Sequence, residues 1–257
     1  MTHKIGVRSS AKNAARAAFI ASFAVLAVAA LAHETFAAHG HHASSAASVR
    51  TVAGGLQLVP DKGKFKILAD GKEAGEEEFE ITPSNGDWIV RGNSTIRTDK
   101  GDSHINGTLE LRADGSPVRY DWTTDGDKKA AASVTFSGRQ ASIDLNVANT
   151  QPYTQQLTFS PTLPLAVLDN NLYDQYAVLA GLYNPSKGGV QTFSVLVPQS
   201  LTPGSVSVES AGKQDSNGKE MDELVVKTDD LELDLFLDKG RLMRIVAPDS
   251  NAEIVRE

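Results

Sequence analysis

From residue 63 onward the chain is interrupted at short, even intervals by pairs that end in glycine: Asp70-Gly71, Asn85-Gly86, Lys100-Gly101, Asn106-Gly107, Asp114-Gly115, Asp125-Gly126 and Ser137-Gly138. Glycine reaches the positive φ angles that tight hairpin turns require. The segments between these pairs alternate apolar and polar: Phe65 and Ile67, Phe79 and Ile81, Trp88 and Val90, Leu109 and Leu111, then Val118, Tyr120 and Trp122. Val134 and Phe136, Ile143, Leu145 and Val147, and Leu157 and Phe159 continue the series. A period of two with a polar opposite face describes strands that are wet on one side. Turns this short join antiparallel neighbours, because parallel ones need crossovers of a dozen residues or more.

The pattern returns after residue 190, in Phe193, Val195 and Val197, in Val206 and Val208, and in Leu224 and Val226. It is clearest in "DLELDLFLDKGRLMRIVAP", where Lys239-Gly240 turns the chain back. The whole predicts a mainly β domain, an antiparallel meander of roughly eleven to twelve strands. A twisted sheet that wide curls or splits, so the meander is expected to bend into an open or half-closed barrel.

One stretch breaks the alternation. In "LPLAVLDNNLYDQYAVLAGLY", Leu165, Leu168, Leu172, Tyr176, Leu179 and Tyr183 step by three or four and share one helical face. Pro161 and Pro164 keep the approach extended, Asp169 or Asn170 suits an N-cap, and Asn184-Pro185 with Gly188-Gly189 ends the run. The spacing predicts a helix over about 170–184, packed by its apolar stripe on the concave face of the sheet. Such a helix either fills the curve as core or encloses an apolar cavity with it. For a cavity, the lining expected is Leu168, Leu172, Tyr176 and Leu179 from the helix, with Trp88, Trp122 and Phe136 from the sheet.

The first residues carry Lys4, Arg8, Lys12 and Arg16 and then an apolar run from Ala17 to Ala32. The run is short for a bilayer-spanning helix, which needs ~20 residues, and small residues follow it in Ala30-Leu31-Ala32 and Thr35-Phe36-Ala37. Residues 1–37 therefore read as a secretory signal peptide cut after Ala32 or Ala37, 38–62 as a flexible His/Ala/Ser-rich spacer, and 63–257 as a single β-rich domain. Removing 1–37 takes four of 25 basic and one of 32 acidic residues, leaving 21 against 31, a net charge of -10. That surface repels phosphate backbones, which argues against nucleic acid as a partner. No later segment is apolar enough to span a bilayer as a helix, so a periplasmic or secreted protein that is not integral to the membrane is expected after cleavage. Cysteine is absent, which removes disulfides, thiolate nucleophiles and Cys-based metal sites.

Chemistry-bearing residues are sparse. His3, His33, His39, His41 and His42 precede the domain, and His104 alone lies within it, in what reads as a turn beside Asp102 and Asn106. The "HGHH" of residues 39–42 could bind a transition metal through its imidazoles, but a flexible spacer has no outer shell to fix them, so no metal site is assigned. Alternation sets Glu76 and Glu78 on one strand face, most simply the solvated one. No nucleophile elbow, Ca²⁺ loop or phosphate loop occurs, and no catalytic residue or cofactor is assigned.

The opening hairpin "GKFKILADGKEAGEEEFEI", the helical "DNNLYDQYAVLAGLY" and the closing "LELDLFLDKGRLMRIVAP" with its last strand "AEIVRE" together resemble the periplasmic lipoprotein-carrier and lipoprotein-receptor half-barrels. The resemblance implies non-catalytic holding of acyl chains in a concave sheet beneath helical lids. The expectation is thus an exported, non-enzymatic protein that binds an apolar or amphipathic ligand, such as a lipid, an acyl chain or a lipid-modified protein. The alternative is a structural or protein-interaction module of the cell envelope that meets an envelope partner, and a carboxylate-based hydrolase ranks third.

Overall fold

A computed structural model describes residues 56–126 and 129–257, so the expected signal peptide, most of the spacer and the histidines at 39–42 lie outside the described residues. Eight strands run in sequence order: β1 (Asp61–Ala69), β2 (Lys72–Ser84), β3 (Asp87–Thr98), β4 (Gly101–Leu111), β5 (Pro117–Asp125), β6 (Lys129–Ser137), β7 (Gln140–Val147) and β8 (Tyr153–Thr158). A short strand β9 (Leu165–Val167) and α1 (Asp174–Leu182), the one α-helix among the described residues, follow. The chain ends with β10 (Gln191–Val197), β11 (Thr202–Ser216), β12 (Lys219–Lys227), β13 (Glu232–Asp238), β14 (Arg241–Ala247) and β15 (Ala252–Arg256).

All fifteen strands belong to one sheet, in the order β8-β7-β6-β5-β4-β3-β2-β1-β15-β14-β13-β12-β11-β10-β9. It consists of two meanders laid side by side, with the first and last strands paired at the seam. Flat, fourteen strand intervals would span about 67 Å, yet β8 and β9 at the two edges are joined by residues 159–164, which reach about 25 Å at most. The connection forces the sheet to curl. It curves without closing, since β8 and β9 do not pair.

The turns explain the regularity of both meanders. Asp70 and Gly71 have φ 49° and 72°, Asn85 and Gly86 52° and 90°, and Lys239 and Gly240 53° and 78°, all left-handed at both central positions as a two-residue hairpin requires. Asn106-Gly107 is a correction. It lies inside β4, opposite Gly92 of β3, and His104 likewise sits within that strand, exposed, with Nδ1 3.1 Å from Thr95 Oγ1.

The strand count also exceeds the expected eleven to twelve, and the clearest addition is β9. Its three residues are buried on both faces and so lack alternation, and Leu165 within it had been read as part of the helical stripe. β9 pairs parallel to β10, the one parallel contact of the sheet, with α1 as its crossover. The helix is correspondingly shorter than the expected 170–184 and is not amphipathic. Asp174, Gln175, Ala177, Val178, Leu179, Ala180 and Gly181 are all buried, as in a helix surrounded by protein.

At the seam, Arg256 of β15 donates from Nη1 and Nη2 to the Asp61 carboxylate at 2.6 and 2.8 Å, and its guanidinium lies 5.2 Å from the Phe79 ring centroid. Phe79 stacks on Phe65 at 4.6 Å. Both ionic side chains are largely buried, so this pair differs from the sheet's exposed ion pairs, which contribute little. Arg256→Met should destabilise the fold, but by less than the ~3–5 kcal/mol that orphaning a buried charge costs, because Arg241 Nε stays 3.5 Å from the Asp61 carboxylate. Asp61→Asn combined with Arg256→Met should cost less than the sum of the two. Urea unfolding of the three variants checks both statements.

Candidate functional site

The inner face of the first meander carries a defect in its apolar lining. Cross-strand register aligns Phe79, Gly92, Gly107 and Trp122 in one row across β2 to β5. Two aromatic residues thus flank two glycines, leaving a notch two strands wide. Neither glycine needs its conformational freedom here; what matters is the missing side chain. A Cβ at Gly92 would lie 2.9 Å from Leu172 Cδ2, and one at Gly107 would lie 2.6 Å from Leu172 Cδ1. Leu172, fully buried, occupies the notch.

Polar groups surround that leucine. Along β2 the residues facing inward are Gly75, Glu77, Phe79 and Ile81, so Glu77 places a carboxyl in the interior with no exposed surface. Its Oε2 accepts the Tyr173 N–H at 2.9 Å and its Oε1 the Asp174 N–H at 3.3 Å. Tyr173 stands at the N-cap position and makes no side-chain cap of its own. A carboxyl from a strand 96 residues earlier in the chain therefore caps α1.

The expected caps do other work. Asp169 accepts N–H donors from Asn170 and Gln199 at 3.0 and 2.9 Å, and the Tyr120 hydroxyl at 2.8 Å. Gln175 in the first helical turn accepts the Asp169 N–H. Asn171, at φ 62°, turns the chain so that Leu172 drops into the notch before the helix begins. At the other end of α1, Gln57 N–H donates to the Gly181 carbonyl at 2.8 Å, and Gln191 exchanges hydrogen bonds with the Asn184 main chain at 3.1 and 2.7 Å.

Burial governs the electrostatics. It pushes the Asp169 carboxyl up to about 6 against the hydrogen bonds that favour its charge. Burial, and then the neighbouring Asp174 charge, holds Glu77 well above the usual carboxylate range. Asp174 is raised by the same desolvation. Asp174 Oδ1 is buried and has no conventional donor, while Glu77 Oε1 makes the longer of its two cap bonds. Both atoms lie within 3.0 Å of the position a Gly92 Cβ would take. A proton on Glu77 Oε1 directed at Asp174 Oδ1 satisfies both oxygens.

The residues expected to line a cavity are thus dispersed. Leu172 fills the notch that Trp122 flanks, and Leu179 is fully buried in α1. Leu168 is buried in the turn between β9 and α1, where its N–H donates to the Leu196 carbonyl at 3.0 Å. Tyr176, Trp88 and Phe136 are half-buried at the margin of the core. Glu77, Asp174, Gln175 and Tyr120 were not anticipated as site residues, and Asp169 was expected only as the helix cap. The signal for Glu77 was present, since the alternation that turns Glu76 and Glu78 outward turns Glu77 inward with Phe79. Two surface depressions lie elsewhere, one beside Asp61, Arg241 and Arg256 and the other beside Pro248 and Arg244.

Two outcomes are expected. Gly107→Ala should destabilise the fold by about 1–3 kcal/mol through overpacking, with part of that loss recovered when Leu172→Ala is added, as chemical denaturation of the double-mutant cycle would reveal. The pH dependence follows from the raised carboxyls. Their folded values lie above the unfolded ones, so for Asp169 and Asp174 the native state holds more protons between about pH 4 and 6 and stability is lost as pH rises through that window, while Glu77, held higher still, extends the loss upward in pH. The thermal midpoint should be higher at pH 5 than at pH 7.5, and Glu77→Gln, which keeps a cap acceptor and donates to Asp174, should narrow the difference.

No protein-family model matches the sequence, and no curated protein matches it. The crystal structure of a DUF1089 family protein from Pseudomonas aeruginosa is similar to this chain with a TM-score of 0.42 and 10% sequence identity, over 75% of this chain and 94% of that one.

Proposed function

We propose that the protein is a non-catalytic binder of an apolar or amphipathic chain, exported to the cell envelope, in which α1 occupies the ligand's place and moves aside to admit it. The observation that carries this reading is how the concave face is covered. A wide apolar sheet that does not close is filled by one nine-residue helix, too short to persist on its own and anchored through a protonatable carboxyl cap. The implied relation to the lipoprotein-carrier half-barrels points the same way. The buried carboxyls support a non-catalytic role, since Glu77 and Asp169 are engaged by main-chain donors that fix α1 and its approach.

A second reading, a structural or protein-interaction module of the envelope, is favoured by one feature. Leu172 and Leu179 are fully buried by the protein's own atoms, as a permanent core would be.

Binding of a fluorescent fatty acid such as cis-parinaric acid separates the two. Ionisation of the Glu77–Asp174 pair weakens the anchor of α1, so the carrier reading expects tighter binding at pH 7.5 than at pH 5. Glu77→Gln should weaken binding at pH 7.5 several-fold while raising the thermal midpoint. A wild type that takes up no probe at either pH, with Glu77→Ala taking up none either, would transfer the assignment to the interaction module.

A further inference from the structure

The two edges of the sheet are unequal. β9 is three residues long and wholly buried, whereas β8 offers six residues, most of them exposed, and among the described residues pairs only with β7. Strands in this position are usually blunted by lysine, proline or a bulge. β8, "YTQQLT", has none of these. It also lies within an uncharged stretch that runs from Leu145 to Leu168, in a chain where 22% of residues are charged. Tyr153, at its start, is one of the two exposed large apolar residues among those described.

The register shows which groups face outward. Phe159 N–H donates to the Arg139 carbonyl at 2.8 Å, which makes that pair hydrogen-bonded. Alternation then directs Leu157, Gln155 and Tyr153 toward β7 and leaves the N–H and C=O groups of Thr154, Gln156 and Thr158 pointing away from the sheet. These three positions are symmetric about Gln156.

We propose that β8 is a homodimer interface, at which a second copy of this chain adds its own β8 antiparallel across a two-fold axis through Gln156. In that register Gln156 pairs with Gln156 of the other copy and Thr154 with Thr158, so every outward main-chain group meets an outward partner. On one face the side chains that meet are Thr and Gln; on the other Gln155 lies opposite Leu157, and Tyr153 opposite Phe159. Charge selects the second copy as occupant. The chain has a net charge of -7, so two copies repel over most approaches, and the uncharged stretch around β8 is where they can meet without opposing like charges. The inference rests on neither reading of the concave face.

Sedimentation equilibrium of the purified protein tests it, with thermal unfolding as a control for folding. The expected result is a mass that doubles on concentration, reverting to the monomer in Gln156→Lys, which sets two like charges opposite one another. Thr202→Lys, at an exposed site on β11, should leave the doubling intact. A wild type that stays monomeric at every concentration overturns the proposal, as does a dimer that persists in Gln156→Lys. A monomer that dimerises only when residues 38–55 are deleted would overturn it in favour of the chain's own spacer as occupant of the edge.

Discussion

The Glu77 carboxyl beneath the first turn of α1 is the contact on which the interior depends. A nine-residue helix in water is far below the length at which it persists by itself, so its existence here is a property of the tertiary structure. The sheet supplies what the helix lacks at each end. β2 provides the N-terminal cap, Gly92 and Gly107 provide the space for Leu172, and Gln57 and Gln191 take up main-chain groups at and just beyond the C-terminal turn. α1 is therefore stable only with β2, β3 and β4 in register beneath it. Local sequence helps little: Asn171 bends the chain away from the helix, and Tyr173 caps nothing.

The same dependence explains why polar atoms are tolerated in the core. Isolated, a carboxyl buried at the position of Glu77 would be expensive. Surrounded by two main-chain N–H donors and the Asp174 carboxyl, it becomes the means by which strand and helix recognise each other. Asp169 does the same for the connection that follows β9, tying it to Tyr120 on β5 and to the turn after β10. These groups fix where the crossover sits on the sheet, which apolar contact alone, being non-directional, would leave open.

Much of the fold was legible because hairpins are local. The Asp70-Gly71, Asn85-Gly86 and Lys239-Gly240 turns announce themselves through a conformation that few residues adopt, and alternation then fixes which side of each strand is buried. What was illegible depends on partners distant in sequence. Asn106-Gly107 looks like a turn until Leu172, more than sixty residues later, is known to need the space of Gly107. Leu165 looks helical because three buried residues have no period. The caps at Asp169 and Asn170 were plausible from position, but a carboxyl on β2 holds the helix instead. Glu77 itself could have been read from the phase of Glu76, Glu77, Glu78 and Phe79, and its inward phase is the trace that the central contact of the site leaves in the sequence.

The seam carries a consequence for the order of events as the chain is made. β1 emerges first and β15 last, yet they are neighbours, and β15 is the strand that joins the two meanders through β1 on one side and β14 on the other. Until β15 is available, β1 has an unpaired edge and Asp61 lacks the closer of its two guanidinium partners, Arg256 at 2.6 Å against Arg241 at 3.5 Å. The curl of the sheet, with the helix inside it, is thus completed only once β15 has paired on both sides. Without β15 the one sheet would be two separate meanders, each with a bare strand edge where the seam now lies.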